Sequence, residues 1–92
     1  MTLNHNAKIL LSREFIGLRI KVMKSTHSEL CGIFGTIIDE TKNTLVIYHK
    51  GKPKIVPKKY STFHCILPDE KIIEIEGKLL VGRPEDRIKK KR

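Results

Sequence analysis

The side chains best suited by type and spacing to do chemistry are lysines. K-G-K-P-K-I-V-P-K-K (50–59) carries five of them and no carboxylate. A run of this kind can neutralise phosphates by displacing condensed counterions, and equally can be a solvated face. Lys54, Lys58 and Lys59 are the candidates it supplies for contact with a polyanion. Arg19 and Lys21 alternate with Leu18, Ile20 and Val22, so they should project outward from a half-buried strand. Arg83, Arg87 and Lys89 add positive charge near the C-terminus, where Glu85, Asp86 or the Asp39-Glu40 pair compete for the arginines. Tyr60, next to Lys59, is the best candidate for stacking on a base, because Phe15, Phe34 and Phe63 are expected in the core. Charge reversal at Lys58 and Lys59 is therefore expected to weaken polyanion binding while leaving the fold intact.

No catalytic constellation accompanies these cations. His5, His27, His49 and His64 lie on separate segments without the spacing of a zinc site. His64 and Cys65 are neighbours in sequence, but adjacent strand residues point to opposite faces. Asp39-Glu40 offers two carboxylates to a magnesium ion, although Asp is common in turns for its backbone-bonding side chain. There is no glycine-rich phosphate loop and no nucleophile elbow. Cys31 and Cys65 are too few for a disulfide framework and are read as two half-buried thiols. No metal site is expected in the chain.

The elements that must position the cations are short strands. Gly32-Ile33-Phe34-Gly35-Thr36-Ile37-Ile38 and Thr44-Leu45-Val46-Ile47-Tyr48 are β-branched runs joined by Asp39–Asn43. They read as a hairpin whose two glycines permit a sharp bend. Asp39 and Thr41 should bond the backbone, and Asn43 should supply a left-handed residue. Ile33 and Ile37 should share one face, Phe34 and Ile38 the other. Further strands are expected over 18–22, 55–60 and 62–67, then a strand, a turn at Gly77 and another short strand within 72–82. Pro57 marks an edge or a bulge. Glu74 and Glu76 should face outward, away from an anionic partner.

The ends read differently. Ile9, Leu10, Leu11, Phe15 and Ile16 recur at partly helical spacing before Gly17, so residues 1–16 predict an arm with a short helix. Leu10, Leu11 and Phe15 pack on their own domain or on another subunit. Residues 83–92 predict a basic terminal helix or tail, with Pro84 in its first turn. The chain thus divides into 1–16 (arm), 17–82 (barrel) and 83–92 (tail) within a single domain. The fold class is all-β: a small twisted antiparallel barrel of about six strands.

Composition limits the partner. Ninety-two residues with 39% hydrophobic content can build one modest core. A net charge of +9 and a pI near 9.8 favour nucleic acid or an anionic membrane surface. No apolar run is long enough to span a bilayer and no signal-peptide pattern opens the chain, so an intracellular protein is expected.

Taken in order, L-S-R-E-F-I-G-L (11–18), L-C-G-I-F-G-T-I-I-D-E-T-K-N-T-L (30–45), K-P-K-I-V-P-K-K (52–59), F-H-C-I-L-P (63–68) and G-R-P-E-D-R (82–87) resemble archaeal ribonuclease P protein component 1. That family is related to the Pop-four-type subunit of eukaryotic ribonuclease P and MRP. The resemblance covers about residues 8–90, and its most specific part is the pairing of G-x-x-G-x-x-x-D-E-T-x-N-T-L with G-R-P-E-D-R. It implies an Sm-like barrel in a cytoplasmic ribonucleoprotein that removes the 5′ leader from precursor tRNA. It also implies an RNA subunit that performs the cleavage with Mg²⁺. The family protein pairs with a small zinc-ribbon subunit, which holds the zinc, and together they support the specificity half of the RNA. The isolated chain is then expected to be a monomer without a cofactor. Rival readings are another Sm-like or ribosomal RNA-binding protein, a basic protein–protein adaptor, and a nuclease acting through Asp39 and Glu40.

Overall fold

Alternation of apolar and basic residues makes β1 (Arg19–Ser25) a strand with Ile20 and Val22 buried and Arg19 and Lys21 exposed. In the computed structural model, which describes residues 15–82, five more strands follow: β2 (Phe34–Glu40), β3 (Thr44–His49), β4 (Lys52–Pro57), β5 (Ser61–Ile66) and β6 (Ile72–Glu76). They form one antiparallel sheet in the order β4-β3-β2-β1-β5-β6. The sheet curls into a barrel-like shape without closing, so β4 and β6 are its edges. The all-β expectation and the strand number both hold. Two 3₁₀ turns, Ser28–Leu30 and Gly77–Leu80, are the helical elements among the described residues.

The core lies on the concave side. Ile20 and Val22 of β1 meet Ile33 and Ile37, Leu45 and Ile47 of β3, Val56 of β4, Phe63 and Cys65 of β5, and Ile73 and Ile75 of β6. Phe15, Leu18 and Leu80 complete the cluster. Gly35 bends β2 where it must: a Cβ there would collide with the Tyr48 carbonyl on β3. The pairing of β2 with β3 shifts register between Ile37 and Asp39. That bulge exposes Ile38 and Asp39 together and turns Glu40 inward.

Several local expectations are corrected. The return between β2 and β3 needs no left-handed residue, because Thr41 Oγ1 accepts from the Thr44 amide at 3.0 Å and Asn43 does not adopt positive φ. Asp39 does bond the backbone, its Oδ1 accepting from the Glu40 amide at 2.8 Å. The strand expected over 55–60 instead begins at Lys52, since Lys50 and Gly51 (φ 50° and 80°) make a tight two-residue hairpin turn. It ends at Pro57, on the edge where a residue lacking an amide proton belongs. The second strand expected after Gly77 is the 3₁₀ turn. Phe34 is exposed on the outer face, and Cys31 is exposed while Cys65 is buried. The helices expected in the arm and the tail lie outside the described residues, except for Phe15, Ile16 and Gly17 at the end of the arm.

Candidate nucleic-acid interface

The basic run folds as a hairpin and its corner, which separates its lysines. Lys50 sits in the β3–β4 turn, Lys52 and Lys54 on the edge strand, and Lys59 at the corner before β5. All four are exposed, and among the described residues none has a carboxylate within 4 Å. The result is a strip of exposed positive charge along the β4 edge, with Lys59 at the corner beyond it.

Lys58 does not belong to it. Its side chain is fully buried, with Nζ 2.7 Å from Glu40 Oε2 and donating to the carbonyls of Thr41 (2.7 Å), Lys42 (3.2 Å) and Gly82 (2.8 Å). The expectation that Lys58 contacts a polyanion is therefore corrected. So is the expectation that reversing its charge spares the fold. The physical cause is the β2 bulge, which delivers the Glu40 carboxylate to the interior, where a buried charge requires a partner. Lys58 thereby fastens three segments at once: the β2–β3 turn, the end of β4 and the residues after the 3₁₀ turn. The backbone repeats the connection, with the Lys58 amide donating to the Asn43 carbonyl and the Gly82 amide to the Lys42 carbonyl, both at 2.8 Å.

Arg19 and Lys21 lie on the outer face of β1, as the alternation predicts. Arg19 Nη2 reaches both oxygens of Glu70 at 3.2 and 3.3 Å, so an anion must compete with an exposed ion pair, one worth little in water. Lys21 is exposed between Phe34 on β2 and His64 on β5. Glu74, across from His64, accepts from or pairs with its Nε2 at 3.0 Å, and Glu76 pairs with Lys78 at 3.3 Å. Negative charge thus gathers on β6 and positive charge on β4, at opposite edges. Arg83, Arg87, Lys89, Leu10 and Leu11 lie outside the described residues. Phe15 packs fully buried in its own core and is unavailable to a partner, which corrects its assignment as a partner contact.

Two features add to what the sequence shows. The outer face of β2, β3 and β4 exposes Phe34, Ile38, Tyr48 and Ile55, with Val46 half-buried among them by register. Their alternation with core residues shows that they lie opposite the core, but apolar side chains there are not expected without a cover. The second feature is Tyr60, whose ring is exposed while its backbone has φ of 72°. Lys59 Nζ stands 5.2 Å from the ring centroid, within cation–π range.

Among the described residues, nothing in the interface resembles a reaction centre. His64 and Cys65 face opposite sides of β5, and burial pushes the Cys65 thiol up to about 12, so it stays protonated. Among the described residues no three of His, Cys, Asp and Glu come together as a metal-binding group. No helix among them is long and apolar enough to cross a membrane.

Comparison with known proteins agrees with this geometry. Residues 8–90 match the family described as ribonuclease P/MRP, subunit p29. Ribonuclease P protein component 1 of Methanothermobacter thermautotrophicus is 43% identical over 83 residues, covering 89% of each chain. The protein of the same name from Thermococcus sibiricus is 51% identical over 84 residues, covering 91% of this chain and 67% of its own. A solved structure of Mth11, described as a homologue of human RNase P protein Rpp29, superposes with a TM-score of 0.61 at 43% identity, covering 83% of this chain and 99% of that one. With the family match spanning residues 8–90 and a solved relative superposing on the sheet, this chain belongs to the p29 family of ribonuclease P/MRP subunits.

Proposed function

We propose that the chain is a non-catalytic, RNA-binding subunit of ribonuclease P that helps the catalytic RNA remove the 5′ leader from precursor tRNA. One observation carries this reading: a member of this family presents Lys50, Lys52 and Lys54 along the β4 edge and Lys59 at the next corner, all exposed and none in an ion pair. Such a strip suits the phosphate backbone of a folded RNA, which proteins read by shape and charge more than by base sequence. Lys21 extends the basic surface, and Arg19 does so once Glu70 is displaced. Cleavage, on this reading, is carried out by the RNA with Mg²⁺, and this chain steadies the specificity half.

The outer face of β2–β4 supports a second, compatible role. Exposed aromatic and β-branched side chains suit a protein partner, and we assign them to the small zinc-ribbon subunit, which holds its own zinc. The free chain is then a cytoplasmic monomer that assembles on the RNA. Reconstitution tests the proposal. With the cognate RNA, Mg²⁺ and the other subunits, adding this chain should lower the Mg²⁺ requirement and raise the rate of leader removal. The chain alone should cut nothing. Cleavage by the RNA-free chain would refute the non-catalytic reading, and reconstitution indifferent to its presence would refute the supporting role.

A further inference from the structure

Tyr60 is held in a conformation that tyrosine seldom adopts. Its φ of 72° lies in the left-handed region, where Gly, Asn or Asp fit at lower cost. Strain of this kind persists only where the surroundings over-determine it, and it collects at functional positions. Here the surroundings are clear. The Tyr60 carbonyl accepts from the Thr26 amide at 3.2 Å. Two residues before it, Lys58 is fixed through Glu40, and Gly77 packs so closely on the Lys58 carbonyl that no side chain would fit. The corner is rigid, and its effect is to lift an aromatic ring into solvent at 61% exposure.

Beside the ring is a recess of about 240 Å³ lined by Lys59, Tyr60, Ser61, Thr62, Glu76 and Lys78. This is smaller than the roughly 300–1,000 Å³ of ordinary small-molecule pockets. It suits one flat ring and not an extended cofactor. Lys59 Nζ stands 5.2 Å from the Tyr60 ring centroid and Lys78 also lines the recess, so two lysines border it. Glu76 accepts hydrogen bonds and is paired to Lys78 at 3.3 Å. Ser61 is already committed, donating to Ser25 Oγ at 3.1 Å. Thr62 and the second carboxylate oxygen of Glu76 are left to meet the edge of whatever enters.

We propose that this recess receives one unpaired nucleotide of the bound RNA, its base stacked on Tyr60 and its phosphate held between Lys59 and Lys78. The assignment rests on the RNA-binding reading above and adds to it a site for a single splayed-out base. Aromatic stacking of unpaired bases is how proteins recognise the irregular parts of a folded RNA. The Glu76 carboxylate favours a base with an exocyclic amino group, so adenine, guanine or cytosine should be held better than uracil.

The test uses the full chain and two RNA hairpins of equal length, one fully paired and one with a single bulged 2-aminopurine. The unaltered chain should bind the bulged hairpin roughly ten-fold more tightly, within the range for one stacked base, and should quench the probe's fluorescence. Tyr60→Phe should keep both effects. Tyr60→Gly should lose both yet still bind the paired hairpin, and its melting temperature should be equal or higher because glycine relieves the backbone. The inference is overturned if Tyr60→Gly retains the preference, or if the unaltered chain binds both hairpins alike with a normal salt dependence. It is also overturned if Tyr60→Gly loses binding to the zinc-ribbon subunit and not to the bulge, which would assign the ring to a protein. Failure to bind either hairpin would overturn the RNA-binding reading itself.

Discussion

At the scale of single residues, the most consequential group is one that composition counts as surface charge. Lys58 lies in a run of lysines, yet it is buried against Glu40 and three carbonyl oxygens. Removing one member of a buried, hydrogen-bonded pair strands the other. Lys58→Met should therefore destabilise the chain by about 3–5 kcal/mol in a denaturant titration. Replacing both residues, as Lys58→Met with Glu40→Leu, should recover part of that loss, because apolar packing substitutes for a buried pair better than half a pair does. A lone Lys58→Met variant of unchanged stability would show that the pair carries no such weight. Lys59, one position along, should tolerate substitution with almost no change in stability, because its ammonium is solvated.

At the scale of elements, β2 decides the shape of the sheet. Gly35 permits the bend against β3, and the bulge after Ile37 delivers Glu40 to Lys58. Gly35→Ala should cost about 3 kcal/mol, at the upper end for overpacking, because the carbonyl it meets is backbone and cannot rotate away. Thermal melts will register this directly, and a variant as stable as the parent would mean that β2 can unbend. The edges are guarded in different ways. β4 carries Pro53, Pro57 and exposed lysines, features that oppose pairing with another sheet. Open edges protected like this fit the monomer assigned to the free chain better than a ring joined through its strands.

At the scale of the whole molecule, charge is sorted across the sheet, with free lysines at the β4 edge and Glu74 and Glu76 on β6. The exposed lysines of the β4 edge should therefore orient an anionic partner as well as attract it. Lys52→Glu with Lys54→Glu should weaken RNA binding and reduce the slope of log affinity against log salt by about 2, one for each lost phosphate contact. The melting curve should stay unchanged. Equal slopes for variant and parent would remove this edge from the interface. Much of this was legible in the sequence. Alternation in β1 placed Arg19 and Lys21 outward, Gly35 announced the bend of β2, and Pro57 marked an edge. The fate of Lys58 was not legible, because one bulged residue reverses which side chains face inward and nothing local announces where pairing slips. Phe34 was misread for a related reason, since a large aromatic side chain suggests burial and only register reveals the outer face. Tyr60 showed itself as an aromatic beside a lysine, but its left-handed backbone depends on contacts from residues as distant as Thr26 and Gly77.

The fastening at Gly82 has a further consequence. Its amide is bonded to the Lys42 carbonyl and its carbonyl to Lys58 Nζ, so the last described residue is tied to both the β2–β3 turn and the corner after β4, and ten residues follow it in sequence. Those residues carry six positive charges and two negative ones. On the RNA-binding reading, the charges beyond Gly82 start from an anchored residue, so any phosphate they meet adds avidity without new specificity.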